Sequence, residues 1–467
     1  MRKISNTIYA IAISLSLASC QLDYAPTSSV TDANVSEKDL DALLVGVYNG
    51  VQSSGFSYFA QDIAADNLKA RTWSALIQID NNDITTDNSY MRSWWDSYFS
   101  NIALANNFLT IASTQEDTPA LRAKIAQARF IRAWNYYYIT SLWGDAPILD
   151  KVTTDLVARN SEIDVWKFIK NDVEYAMENA PEYSDKALVS KIAAKAFLAR
   201  ILLIGPKEIQ DKNTAYRYAE EVIANGNFAL ADDPVNIFHT KNSKEIILEW
   251  TASATDYISL GWWLRSNIVN SVSNPGLGDL GRYELPIDQA VISRFEPGDK
   301  RYKATIRHLQ NGGQETWDCI KFPSYDGSDP APVLRIAEQY LISAEAQGYP
   351  KGVDRLNQLR KIRGVKEYII GDDITASNFL EKIFHERQIE FFAEGQRFYD
   401  LRRWFNSGED GKKAVLALRK YQPGESAGTR PTASETLNIA EDGHNLLFPI
   451  STSTISNNPN ILQNPLY

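Results

Sequence analysis

Cysteine and histidine are scarce in this chain, and each scarcity closes off a chemistry. The 467 residues hold two cysteines and four histidines. His239, His308, His385 and His444 stand at no spacing that a metal site uses. His385-Glu386-Arg387-Gln388-Ile389 has isoleucine where a zinc motif needs its second histidine, one helical turn on. Neither phosphate-cradling pattern, G-x-x-x-x-G-K-[ST] or G-x-G-x-x-G, occurs. Gly424-Glu425-Ser426-Ala427-Gly428 spells a nucleophile elbow, but Pro423 and Pro431 bracket it in a polar loop where the elbow needs a strand before it and a helix after. No catalytic residue, metal ligand or cofactor is therefore assigned, and the chain reads as non-enzymatic. A surface enzyme with a carboxylate pair hidden among its 58 acids is a rival reading.

Long apolar runs are also missing after residue 20, and a spanning helix needs about 20 such residues. Ahead of that point, Arg2 and Lys3 precede an apolar stretch from Ile8 to Leu17, the pattern of a secretory signal too short to stay in a bilayer. Leu17-Ala18-Ser19-Cys20 then resembles the lipobox read by the lipoprotein signal peptidase. Export, cleavage before Cys20 and attachment of lipid to Cys20 are expected. Cys319 is then the one thiol left, so no intrachain disulfide forms and stability must come from a core. Residues 1–19 carry two bases and no acid, so the mature chain is more acidic than the full chain's −10. Such a balance excludes nucleic acid and anionic headgroups as bulk partners.

The boundaries read as signal peptide 1–19, lipidated polar tether 20–35, a helical N-terminal region 36–230, and a C-terminal region 231–467 within the same compact unit. Ser36 and Asp39 form a capping box, with Val35 and Leu40 as its hydrophobic staple, for a helix reaching about Val51. Trp94, Tyr98, Ile102, Ala105 and Leu109 recur at spacings of three and four. Thr118-Pro119 opens the next helix, which Gly144 closes. Amphipathic segments follow at 161–179, 187–204 and 214–225, with alanines at 187, 193, 196 and 199 in close-packing positions. Paired antiparallel helices of tetratricopeptide type explain that pattern. From 231 to 330 prolines and glycines accumulate, and 245–250 reads as a strand. Helical periodicity returns at 333–347, 353–363 and 378–404, and the tail from 422 is mostly loop.

The segment Ala128-Arg129-Phe130-Ile131-Arg132-Ala133-Trp134-Asn135-Tyr136-Tyr137-Tyr138, ending in Trp143-Gly144-Asp145-Ala146-Pro147, resembles the signature helix of the SusD/RagB family of nutrient-capturing surface lipoproteins. The resemblance continues through Arg335-Ile336-Ala337-Glu338, Ala344-Glu345-Ala346, Asn357, Arg360, Arg363 and Gly364. It extends through Glu386-Arg387, Glu390-Phe391 and the stretch from Glu394 to Trp404, to Leu447-Phe448-Pro449-Ile450 and Asn458 through Pro465. Leu466 departs from the family's usual glycine, a change read as harmless. The resemblance implies a mainly α fold of about four tetratricopeptide-like helix pairs packed against an irregular, loop-rich region with a few short strands. It also implies an outer-membrane, cell-surface location and a partner, a SusC-like TonB-dependent transporter on which the protein sits as a hinged lid. The implied ligand is an oligosaccharide, with a peptide as the alternative.

Alternation of Glu386, Arg387, Glu390, Glu394 and Arg397 along a helix reads as a charge lattice tying helices together, each surface pair contributing roughly 0.3–0.5 kcal/mol. Sugar binding asks instead for flat apolar faces beside polar side chains. Trp94 and Trp134 fall within helical patterns and are assigned to packing. The aromatics outside them are the ligand candidates: Trp73, beside Arg71 and ahead of the Asp80-Asn81-Asn82-Asp83 loop; Trp262, Trp263 and Tyr283, near Asp279 and Arg282; and Trp317, after the Asn311-Gly312-Gly313 turn. Asn81 and Asn82 join them as hydroxyl partners.

Overall fold

Apolar residues at helical spacing, closed by side-chain caps, set most of the elements. The computed structural model describes residues 36–53, 55–253, 255, 257–265, 282–311, 314–324, 326–421 and 434–467. The signal segment, Cys20, the tether through Val35, Asp279 and the 424–428 loop lie outside the described residues. Helix α1 (Glu37–Ser53) opens on the reciprocal cap expected of it. Ser36 N donates to the Asp39 carboxylate at 2.9 Å, and Asp39 N donates to the Ser36 hydroxyl at 3.3 Å.

The compact unit Leu43–Tyr467 contains the remaining elements. In α2 (Ser89–Ala112) the cap is Asn88; in α3 (Pro119–Trp143) it is Thr118, whose hydroxyl accepts from Leu121 N at 3.1 Å. Ser161, Ser190 and Asp211 cap α4 (Glu162–Asn179), α5 (Lys191–Ile204) and α6 (Lys212–Ile223) in the same way. Each of these helices packs on the next. Ala193, Ala196 and Ala199 are fully buried on α5, where their small side chains let neighbours approach closely. Ala187 instead lies in the turn before α5, which begins later than the periodicity implies because Ser190 provides the cap.

Helix α6 packs next on α7 (Ile336–Gln347), more than a hundred residues onward, and α7 packs on α8 (Val353–Ile362) and α9 (Phe379–Glu390). The helical stack therefore continues across the irregular stretch. Within that stretch, β1 (Ile246–Trp250) precedes the antiparallel hairpin of β2 (Ile306–Asn311) and β3 (Gln314–Cys319), and β4 (Ala331–Arg335) returns to pair antiparallel with β1. Residues 333–335, expected as the first turn of a helix, thus belong to a fully buried strand. A third two-stranded sheet joins Arg419–Tyr421 to Ser434–Thr436.

The expected single run 378–404 is broken. Helix α9 stops at Glu390 and α10 (Arg397–Phe405) starts after a turn in which Ala393 and Gly395 have φ of +57° and +71°. The turn is held by Asp62, which accepts from Ala393 N at 3.1 Å and Gly395 N at 2.7 Å. A Cβ at Gly395 would lie 2.5 Å from the Tyr58 carbonyl oxygen. Gly395→Ala is therefore expected to cost more than about 1 kcal/mol, through both φ and the clash, read as a lower denaturation midpoint. Leu466, read from sequence as harmless, sits 71% exposed at φ +67°. A left-handed conformation costs an L-residue with a Cβ roughly 1–2 kcal/mol. Leu466→Gly should raise stability by about 1 kcal/mol in the same denaturation experiment.

Candidate functional site

Segment 282–288 is the spine around which distant parts of the chain gather. Asp288 N donates to the Asn67 carbonyl at 2.8 Å, Lys69 N to that of Pro286 at 2.9 Å, and Arg71 N to that of Glu284 at 3.1 Å. Arg282 N donates to the Trp262 carbonyl at 2.7 Å, and Glu284 N and Leu285 N both donate to that of Trp263 at 3.1 Å. Ile287 N reaches the Trp317 carbonyl at 3.3 Å. Main-chain bonds thus bring Trp73, Trp262, Trp263, Tyr283 and Trp317 into one neighbourhood. Glu284 locks it further. Its buried carboxylate accepts from Thr72 N at 2.7 Å, Trp73 N at 2.8 Å and the Thr72 hydroxyl at 2.7 Å.

The three indoles form a corner. Trp263 stands edge-on to Trp73, with centroids 5.2 Å apart at 88°, and edge-on to Trp262 at 4.9 Å and 88°. That is a favoured aromatic arrangement. All three are half-buried, so part of each ring stays accessible. The turn bearing Trp262 and Trp263 sits close on 322–324: a Cβ at Gly261 would fall 2.4 Å from the Ser324 carbonyl oxygen. Arg282 is exposed and lays its guanidinium 4.4 Å from the Trp73 centroid and 5.6 Å from that of Trp262. An exposed contact of this kind is worth about 0.5–1 kcal/mol, so it is easily exchanged. Arg71 donates from Nη1 to the Tyr283 carbonyl at 2.9 Å and stands 5.1 Å from the Tyr283 ring centre.

The other candidates take different places. Tyr283, 4% exposed at φ +52°, accepts from Trp317 N on its hydroxyl at 2.9 Å, tying β3 to the spine. Trp317 is half-buried and stacks flat on its cross-strand neighbour His308, at 3.9 Å and 7°. Asn82 is 6% exposed, takes φ +50°, and donates from Nδ2 to the Ala64 carbonyl at 2.9 Å. Its side chain is thus turned inward onto the Ala64 carbonyl. Asn81 has its carbonyl engaged by Asn438 Nδ2 at 3.0 Å. Trp94 and Trp134 are buried in helix packing.

Two residues of the corner escape sequence reading. Tyr90 lies nearly parallel to Trp73 at 6.5 Å and 18°, but its place in the first turn of α2 makes it look like packing. Glu284 looks like any loop acid. The one available hint was that Glu284 follows Arg282 and Tyr283 in a stretch already aromatic and charged. Among the described residues no group of His, Cys, Asp or Glu is arranged to hold a metal ion, and no helix is long and apolar enough to cross a membrane.

Fold and site define a helical-repeat scaffold whose interrupting loops present an aromatic, cation-bearing corner. A SusD family model matches residues 320–467, and a second model, described as starch-binding associating with outer membrane, matches residues 21–203. A SusD-like protein of Bacteroides ovatus is 25% identical over 470 residues, covering 86% of this chain and 82% of that protein. The starch-binding protein SusD of Bacteroides thetaiotaomicron is 27% identical over 191 residues, 39% of this chain and 31% of its own length. The solved structure of a laminarin-binding SusD-like protein superposes with a TM-score of 0.76 at 20% identity, over 93% of this chain and 100% of that one. This chain belongs to the SusD/RagB family.

Proposed function

We propose that this protein is a non-enzymatic, cell-surface glycan-binding lipoprotein that delivers oligosaccharide to a SusC-like TonB-dependent transporter. The family supports carbohydrate as the ligand class, since relatives are named for binding starch and laminarin. The observation that carries the reading for this chain is the convergence of Trp73, Trp262 and Trp263 into one accessible corner. Flat half-open indoles beside guanidinium donors suit a sugar ring, whose apolar face stacks while its hydroxyls pair. Tyr90, Tyr283 and Glu284 hold the corner in shape.

Calorimetry of protein starting after Cys20, titrated with oligosaccharides and with peptides, tests the ligand class. Saccharide binding that weakens on substitution of Trp262 is expected; peptide binding with no saccharide binding overturns it. Anchoring is tested separately. Cys20→Ala should release folded, ligand-binding protein from the membrane fraction and abolish uptake by the cell. Unchanged uptake would show the lipid to be dispensable.

A further inference from the structure

We infer that the oligosaccharide is acidic, carrying carboxylate or sulfate groups that Arg282 and Arg71 grip. This rests on the glycan reading above and adds the chemical class of the sugar. The chain as a whole bears a formal charge of −10, and its buried arginines are matched to acids: Arg200 to Glu338, Arg387 to Asp400 and Arg397 to Asp66, for example. The corner departs from that rule. Among the described residues, neither Arg282 nor Arg71 has a carboxylate partner; Arg282 touches indole faces, and Arg71 spends one donor on a carbonyl.

Three acids touch these segments, all buried: Asp80 accepts from Ala70 N at 3.0 Å, Asp288 accepts from Ala290 N at 2.8 Å, and Glu284 has both oxygens occupied by Thr72 and Trp73. They offset charge yet, being buried, accept nothing from a ligand. Arg307 is neutralised by Asp318 at 2.7 Å. Among the described residues the corner is therefore rich in donors and poor in free acceptors. A neutral sugar, whose hydroxyls both donate and accept, leaves such donors half used. A carboxylate or sulfate is acceptor-only and matches the planar guanidinium fork. An arriving anion competes with the indoles for Arg282, and drawing the guanidinium off Trp73 opens that ring face for stacking.

The test compares matched ligands on the full-length lipoprotein in detergent: tetragalacturonate against its methyl ester, and a carrageenan oligosaccharide against its desulfated form, after a glycan array that includes neutral chains. Acidic forms should bind at least tenfold more tightly than their neutral partners, and which pair shows the preference tells carboxylate from sulfate. Arg282→Gln should erase the preference with unchanged melting temperature, and Arg282→Lys should restore it in part. Equal affinity for acidic and neutral forms, or a preference that survives both Arg282→Gln and Arg71→Gln, overturns the inference and leaves glycan binding standing. Failure of every saccharide on the array overturns both.

Discussion

Glu390→Gln is expected to destabilise the protein by about 3–5 kcal/mol, the cost of stranding buried charge. The Glu390 carboxylate, 3% exposed, accepts from Arg335 at 2.8 Å, from Arg363 at 2.9 and 3.0 Å, and from Arg301 at 3.2 Å. Arg335 and Arg363 both also reach Glu245, and Arg335 reaches Glu394. Glutamine keeps the shape but leaves guanidiniums facing each other with less negative charge between them. Denaturant titration at neutral pH checks it; a loss below about 1 kcal/mol, the scale of an exposed pair, would contradict the buried network.

The same carboxyl carries a pH signature. Burial pushes it up, but Arg363 and Arg335 hold it well below the usual carboxylate range. A folded value below the unfolded one means that the stabilisation is complete above about pH 4.3 and is lost as pH falls through the acid range. Asp62 works in the opposite sense: burial raises its carboxyl to about 6, despite hydrogen bonds from Asn67, Gly395 and Ala393. Its neutral form is the one folding favours, so that contribution is fullest below about pH 4 and is lost as pH rises through 6. Glu390→Gln should accordingly flatten the acid limb of the stability profile and leave the Asp62 limb in place.

This network also marks how far sequence could be read. The alternation of Glu386, Arg387, Glu390, Glu394 and Arg397 does tie elements together, as spacing suggested. Its members are buried rather than superficial, and Glu390 finds Arg335 at a separation of 55 residues. Helix periodicity reports which residues share a face, but not what another part of the chain lays against it. Caps show the opposite case: Ser36 and Thr118 act within three residues, so their roles were legible. The break after Glu390 was not, because the group that holds the turn, Asp62, lies 331 and 333 residues from the amides it accepts.

The aromatic corner divides along the same line. That Trp73, Trp262 and Trp263 lie outside the long helices follows from their setting in the sequence. That they meet follows from the ladder along 282–288, which no local pattern announces. Asn82 looked suited to a sugar hydroxyl because a polar loop resembles a polar site until its backbone turns inward at φ +50°.

Joint replacement of Trp73 and Trp262 by alanine is expected to weaken oligosaccharide binding about a hundredfold, each indole contributing on the order of 1–1.5 kcal/mol by stacking. The two singles should each cost about tenfold, but their sum need not equal the double. Arg282 lies over both rings, so removing either one also frees the guanidinium, and a double-mutant cycle through Arg282 measures that coupling. If Arg282 must leave Trp73 to meet the ligand, Trp73→Ala loses stacking but also relieves competition for the cation. Its penalty should then be smaller for an acidic ligand than for the neutral isostere. Trp263, edge-on to both, acts through position: Trp263→Phe should retain most affinity where Trp263→Ala does not. A ligand that binds Trp73→Ala and Trp262→Ala as tightly as the parent would move the site away from this corner altogether.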